Sequence, residues 1–302
     1  MTAITVVVCT RNRANSLKRT IRSILNNTFS DYELVVVDQS NNNDSELLIS
    51  DLKDPRIVYV KSQSIGLSRS RNDGILQSRT EIITFTDDDC ICSEDWLAEI
   101  YQEFDSDEKL TGLYGKTLPY GDNIKGLLCD CVIDSDNELI VEKPIIPYNV
   151  LGHGNNMSFR KKAFVDNGLY LVNLGAGTSM KGGEDTEFLY RLLRKNYRLK
   201  YSPRPVVYHD KWLTAHDFIK QEANYLKPGI AVFFRYTLSC DMVAAGYVLK
   251  RGKEILEFFA HSVIKMHIRE AWNARRLIGG YCSGIFAGVW LLFQKPPLFK
   301  IQ

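Results

Sequence analysis

Three acids, Asp87-Asp88-Asp89, close the apolar run Ile82-Ile83-Thr84-Phe85-Thr86. Adjacent carboxylates repel one another, and a fold keeps them only with a neutralising cation nearby. In an extended chain, residues two apart point the same way, so Asp87 and Asp89 are expected to share one site. Hard oxygen ligands of this kind suit Mg²⁺ or Mn²⁺ together with substrate phosphates. No cationic run adjoins the three acids in sequence, which favours a metal over an ion pair. The competing account is an acidic turn opening a helix at Ser93-Glu94-Asp95.

Gly182-Gly183-Glu184-Asp185 is the second acidic motif. Two glycines permit a tight turn, and acids in a first helical turn are stabilised by the helix dipole. Plain capping would produce the same pattern. If the turn lines a cleft, one carboxylate can take a proton from a hydroxyl. Upstream, Gly152-His153-Gly154-Asn155-Asn156 offers amide groups and close backbone approach for an acceptor, or is a polar loop entering an edge strand. Gly66-Leu67-Ser68-Arg69-Ser70-Arg71-Asn72 opens a helix whose free N–H groups suit an anion, with Arg71 one turn in. It is not a GxGxxG fingerprint, which argues against a dinucleotide dehydrogenase. His209 follows a buried-looking strand; a lone His is usually structural, but neutral imidazole also suits a carboxylate metal site.

These residues need a scaffold. Ile4 to Val8, Leu34 to Val37, Ile57 to Val60 and Ile82 to Thr86 are continuous apolar or β-branched runs, as in strands covered on both faces. Helical spacing occupies 14–27, 44–52, 66–77 and 94–104 between and after them. Strict alternation predicts an open, mostly parallel α/β sheet with helices on both faces. Ligands of such sheets bind beyond the C-terminal strand ends. Thr10, Arg11 and Arg13 follow the first strand, Asp38 closes the second, and the three acids close the fourth. From about residue 110 the pattern is irregular, with strands near 111–117 and 155–160, a helix over 184–196 and a short strand over 205–208.

The chain has 302 residues, 45% hydrophobic and 25% charged, which marks it as globular. A net charge of +2 does not suggest a nucleic-acid partner. Residues 241–302 carry +5, leaving −3 for residues 1–240. Helices are expected over 241–260 and 262–276. The uncharged segment from Leu277 to Phe293 falls at the lower limit for a spanning helix, and its glycines 279, 280, 284 and 288 weaken it. Attachment to an anionic membrane surface and packing on the catalytic domain are both open. No secretory signal is visible, and seven cysteines without zinc-site spacing read as reduced cytosolic thiols.

The set of motifs resembles the family 2 glycosyltransferases, which have the GT-A fold. The likeness covers about residues 3–210 and rests on VVVCTRNRANSLKRTIRSIL, ELVVVDQS, IGLSRSRNDGI, TFTDDD, GHGNNMSFRKKAF, GGEDTEFLYRLLRKNYRL and VVYHD. The resemblance implies inverting transfer of a sugar from a nucleotide diphosphate donor, with UDP-sugars the commonest. Thr10, Arg11, Arg13, Asp38, Gly66, Arg71 and Asn72 would surround the nucleotide. Asp87 and Asp88 would contact ribose or organise Mg²⁺ or Mn²⁺, and Asp89, Asp87 and His209 would hold it. Asp185 would be the base with Glu184 in support, and Gly154, Asn155 and Asn156 would meet the acceptor.

Two departures are visible. No Gln-x-x-Arg-Trp segment follows residue 210, which favours single-sugar transfer over processive synthesis. Glu187 stands two after Asp185, where many relatives have Asp. The expected organisation is a nucleotide-sugar half over 1–115, an acceptor half over 116–240 and a helical extension over 241–302. The acceptor would be a glycan or a lipid-linked glycan, and the place the cytoplasm, peripheral on the inner face of the cell membrane. The rivals are a sugar nucleotidyltransferase, which usually has a glycine-rich loop after strand one, and a non-catalytic sugar-nucleotide sensor.

Overall fold

Strand β1 (Ile4–Thr10) alternates its side chains between two cores. Val7 enters one with Val35 and Val37, while Val6 and Val8 enter the other with Leu34 and Val36. Both faces are therefore covered, and the period of two is invisible in a run where every residue is apolar. A computed structural model describes residues 2–121, 124–144, 151–265 and 268–299. Parts of the irregular stretch expected over 112–156, namely 122–123 and 145–150, lie outside the described residues.

β1 pairs in parallel with β2 (Tyr32–Asp38) and β4 (Ile82–Asp87), and β2 with β3 (Ile57–Lys61). Helices α1 (Ala14–Leu25), α2 (Asp44–Leu52) and α3 (Leu67–Gln77) connect these four strands. The alternation expected from sequence is present here. Beyond β4 the sheet is mixed. β5 (Cys90–Cys92), α4 (Trp96–Ser106), β6 (Leu110–Pro119), β7 (Leu127–Cys129), β8 (Leu139–Val141) and β9 (Asn156–Arg160) follow. β9 lies antiparallel between β4 and β6. The nine-stranded sheet runs β3-β2-β1-β4-β9-β6-β10-β5, with β8 also on β10.

β10 (Arg198–His209) is longer than the expected strand over 205–208. Pro203 and Pro205 look like breakers in sequence, but a register shift between Ser202 and Val206 lets the strand pass them. Helices α1 and α4 cover one face through Leu17, Ile21, Trp96 and Phe104. α3, α5 (Lys161–Asn167) and α6 (Glu184–Leu193) cover the other through Ile75, Phe164 and Phe188.

After the short β11 (Trp212–Thr214), three helices complete the described chain: α7 (Ala215–Thr237), α8 (Met242–Ile264) and α9 (Ile268–Leu292). α7 was not expected, because Pro228-Gly229 in its middle reads as a turn. These helices form a third core. Tyr190, Leu171 and Met180 of the catalytic domain meet Ile230, Phe233, Tyr236, Tyr247 and Leu291 there. Glu187 on α6 accepts from Tyr236 on α7 at 2.8 Å and pairs with Arg191 at 2.5 Å. The position where the family pattern has Asp therefore ties the extension to the domain.

The glycines of α9 explain how closely it lies on α7. A Cβ on Gly284 would stand 2.7 Å from Ile230 Cβ and 2.8 Å from the Lys227 carbonyl, whereas one on Gly279 meets nothing within 4 Å. Gly284→Ala is expected to destabilise the protein by about 1–3 kcal/mol through overpacking. Gly279→Ala is expected to stabilise it by about 0.5–1 kcal/mol through helix propensity. Urea unfolding of the two variants checks the opposite signs.

Candidate active site

A cleft of about 620 Å³ opens at the C-terminal ends of β1 and β4. Sheet topology explains its position, because β4 leaves the parallel half here and meets the antiparallel β9. Thr10, Arg11 and Arg13 line it after β1, and the three acids line it after β4.

The acids do have a cationic partner. Arg13 reaches Asp88 at 2.5 Å and Asp89 at 2.7 Å, and Thr10 Oγ1 donates to Asp88 Oδ2 at 2.7 Å. That partner is invisible locally in sequence because Arg13 comes from the neighbouring strand end, 75 or more positions away. Burial raises the Asp88 carboxyl to about 7, against the opposing pull of Arg13 and Thr10. Asp87 and Asp89 both line the cleft, but not through the alternation of one extended strand. β4 ends at Asp87 and the chain turns, so the two-residue period stops there. Asp87 instead lies 3.5 Å from Arg71.

His209, from the end of β10, meets Asp89. Its Nδ1 lies 2.8 Å from the Asp130 carbonyl, which can only accept, so Nδ1 carries the proton. Nε2 then faces Asp89 Oδ1 at 3.4 Å, and that oxygen is buried without a hydrogen-bond partner. Burial would raise Asp89, but His209 and Arg13 outweigh it and take the carboxyl down to about 2. Burial opposes a proton on His209, while Asp89 more than restores it. The ligand atoms of Asp89, Cys90 and His209 lie within 4.8 Å of one another. Burial pushes the Cys90 thiol well above its usual range, so it stays protonated. The donors open to a metal are the Asp89 carboxylate and the His209 imidazole, which ligates through Nε2 once that atom is free of a proton, while the Asp130 carbonyl holds Nδ1. Such a set fits Mg²⁺ or Mn²⁺.

The opposite wall is the start of α6. Gly183 adopts φ +87°, which favours glycine, and delivers Glu184 and Asp185 into the cleft wall. Arg71 joins the parts. It is 3% exposed, pairs with Glu184 Oε1 at 2.9 Å and donates to the Gly154 carbonyl at 2.9 Å. The Gly154 amide in turn donates to Asp185 Oδ2 at 3.2 Å, and the Thr186 amide to Asp185 Oδ1 at 2.7 Å. Burial raises the Glu184 carboxyl, the charge of Asp185 adds to this, and Arg71 opposes it.

Arg71 was expected to reach a carboxylate or a diphosphate; it lines the cleft and its guanidinium pairs with the carboxylate of Glu184. Asn72 and Asn156 are likewise spent internally. Asn72 exchanges two hydrogen bonds with the Tyr170 backbone, both 2.9 Å. Asn156 donates to the Lys116 and Pro205 carbonyls and accepts from Trp96. Gly154 and Asn155 do line the cleft, and the Asn155 side-chain nitrogen is buried without a partner.

At the other end, Gly66 lines the cleft, and its amide donates to Gln39 at 3.1 Å. Asp38 is fully buried behind this wall. Burial would raise its carboxyl, but hydrogen bonds from Ser40, Tyr59 and Lys61 hold it below the usual range. Sequence reading missed Asp130, Lys211 and Tyr225, all of which line the cleft. Asp130 accepts from Lys211 at 2.7 Å and also from Gln221. The local signal for Asp130 is an acid held between two cysteines, Cys129 and Cys131.

Residues 5–124 match the profile of Glycosyl transferase family 2, and residues 82–292 that of Glycosyl transferase family group 2. The second match alone spans more than half of the chain. The chain belongs to the family 2 glycosyltransferases. It is 27% identical over 234 residues to poly(ribitol-phosphate) beta-N-acetylglucosaminyltransferase TarP of Staphylococcus aureus, covering 75% of this chain and 66% of that protein. It is 36% identical over 93 residues to the GalNAc(5)-diNAcBac-PP-undecaprenol beta-1,3-glucosyltransferase of Campylobacter jejuni, covering 30% of each. The chain thus spans less than two thirds of the length of either curated relative. The crystal structure of S. aureus TarS 1-349 in complex with UDP-GlcNAc superposes with a TM-score of 0.56 at 16% identity, over 76% of this chain and 66% of that one. TarS 1-349 without a named ligand gives a TM-score of 0.58. The architecture of this family 2 chain is the GT-A fold expected from its motifs, with a C-terminal helical extension.

Proposed function

We propose that this chain is an inverting, metal-dependent glycosyltransferase. It moves one sugar from a UDP-sugar to a hydroxyl of a phosphate-bearing glycan or lipid-linked acceptor. The observation that carries the reading is the placement of two acidic stations on one cleft: Asp89 with His209 on one wall, Asp185 on the other. Family membership and the UDP-GlcNAc complex of TarS support the donor class. Both curated relatives have phosphate in the acceptor of their names, which supports the acceptor class.

Asp89 and His209 would hold Mg²⁺ or Mn²⁺, with Asp87 as a further oxygen at the cleft side. When bound, the metal supplies positive charge against the departing diphosphate. Asp185 takes the acceptor proton, its Oδ2 oriented by the Gly154 amide. Arg71 and Glu184 fix the start of α6, so the base does not drift. A single displacement with the base opposite the leaving group inverts the anomeric centre. A nucleotidyltransferase would release pyrophosphate instead of UDP, and a sensor would release neither; product analysis separates all three.

The metal reading predicts that EDTA abolishes transfer and that Mg²⁺ or Mn²⁺ restores it. Asp89→Asn should lower transfer by more than about 100-fold, beyond the 10–100-fold typical of outer-sphere losses. Full activity in EDTA overturns it.

The base reading predicts that Asp185→Asn keeps UDP affinity and lowers transfer by roughly 10²–10⁴-fold. Calorimetry with UDP beside single-turnover kinetics checks this. Collapse of UDP affinity with intact turnover of bound donor would make Asp185 a donor ligand.

The place of action is the inner face of a membrane. Met242, Leu249, Leu256 and Val263 recur every seven residues along α8 and are 79, 72, 62 and 53% exposed. Phe286 and Phe293 on and after α9 are 77 and 75% exposed. Among the described residues no helix is long and apolar enough to cross a membrane. An apolar stripe on a basic extension suits the interface of an anionic bilayer. The full chain should co-sediment with anionic vesicles, release as salt rises, and release at low salt after Leu249→Glu with Phe286→Glu. Indifference to anionic vesicles sinks this assignment.

A further inference from the structure

A second cavity, of about 680 Å³, lies between α7, α8, α9 and the segment 179–181. It adjoins the catalytic cleft, because Lys181, Phe218 and Glu222 line both. Its charge is one-sided: Lys181, Lys220, Lys227 and Arg276 surround the single carboxylate of Glu222. None of these four cations has a carboxylate within ion-pair distance among the described residues. Lys227 makes one long contact, 3.5 Å, to the Ser179 carbonyl. Four cations around one carboxylate raise the local potential, and a groove focuses it onto an anionic ligand. The cavity also has an apolar lining, in Ile219 of α7, Phe258 of α8 and Leu277 of α9, with Ile219 46% and Phe258 38% exposed. Unpaired cations beside exposed hydrocarbon fit neither a simple sugar nor a plain apolar ligand.

We propose that this groove seats the phosphate and the first part of the hydrocarbon chain of a phosphate-headed amphiphile. This is the anchor of the acceptor whose sugar end reaches Asp185. Lys220, Lys227 and Arg276 would bind the phosphate oxygens through charge-assisted hydrogen bonds. Phe258 and Leu277 would take the chain, which then leaves toward the exposed apolar stripe of α8. The inference deepens the glycosyltransferase reading and rests on it for its purpose, while its test needs no turnover.

Three probes separate the sources of binding to the full chain in calorimetry below micellar concentration. Dodecyl phosphate has charge and chain, dodecyl maltoside has chain alone, and inorganic phosphate has charge alone. Dodecyl phosphate should bind at least about tenfold tighter than either of the others. Lys220→Glu with Arg276→Glu, both exposed positions, should cost at least about tenfold in that affinity while melting and UDP affinity stay unchanged. Equal binding of dodecyl maltoside would reduce the groove to an apolar patch. Equal binding of inorganic phosphate would make it a site for a soluble polyanion. Wild-type affinity in the double variant would place the ligand elsewhere, and each of these three results overturns the proposal. Loss of UDP binding in the unmodified chain would instead sink the transferase reading and leave the groove result standing.

Discussion

Seven carboxylates line one cleft, and two guanidiniums pair with four of them. Asp87, Asp88, Asp89, Glu184 and Asp185 all line the same cavity. A single like-charge pair at 4 Å costs about 4 kcal/mol at an effective dielectric of 20. Arg13 offsets this for Asp88 and Asp89, and Arg71 for Glu184 and Asp87. Arg71 does so from a position almost without solvent, between the rings of Phe85 and Tyr170, each 5.9 Å away. Removing a partner from a buried pair costs far more than the pair contributes in surplus, so both arginines are structural prerequisites of the acid cluster.

This division also separates residues with groups turned to the cleft from residues that hold others in place. Asp89, His209 and Asp185 present unspent atoms or cleft-facing groups. Arg71, Asn72 and Asn156, named by the same motifs, are consumed by backbone carbonyls and a buried acid. A motif reports that a position is constrained. Only the hydrogen-bond partners reveal whether the constraint is chemical or architectural.

The parallel half of the sheet was legible because its strands announce themselves locally, as apolar runs bounded by helices of regular period. The acid-bearing strand ends followed from that. The rest depended on distant pairings that leave no local trace. β9 inserts antiparallel between β4 and β6, with paired residues 43–78 positions apart in sequence and nothing local to distinguish them from other candidates. Arg13 pairs across strand ends. Two proline-bearing segments hid real elements, β10 behind its bulge and α7 behind Pro228. That proline is in contact range of the turn that opens α6: a Cβ on Gly183 would fall 2.9 Å from Pro228 Cβ. The residue that masks the helix in sequence is the one that seats it against the site.

The order in which the chain is made gives the two arginines different histories. Arg13 and the two acids it pairs with all lie within the first 89 residues, so that this pairing needs nothing from the second half of the chain. Arg71 is separated from Glu184 by 113 positions. At ~5–20 residues per second of synthesis, Glu184 follows Arg71 by about 6–23 s. During that interval Asp87, 3.5 Å from Arg71 in the finished fold, is the anion already to hand. The nascent N-terminal half therefore carries an electrostatic placeholder, and α6 completes a pairing whose other member has been waiting on the ribosome.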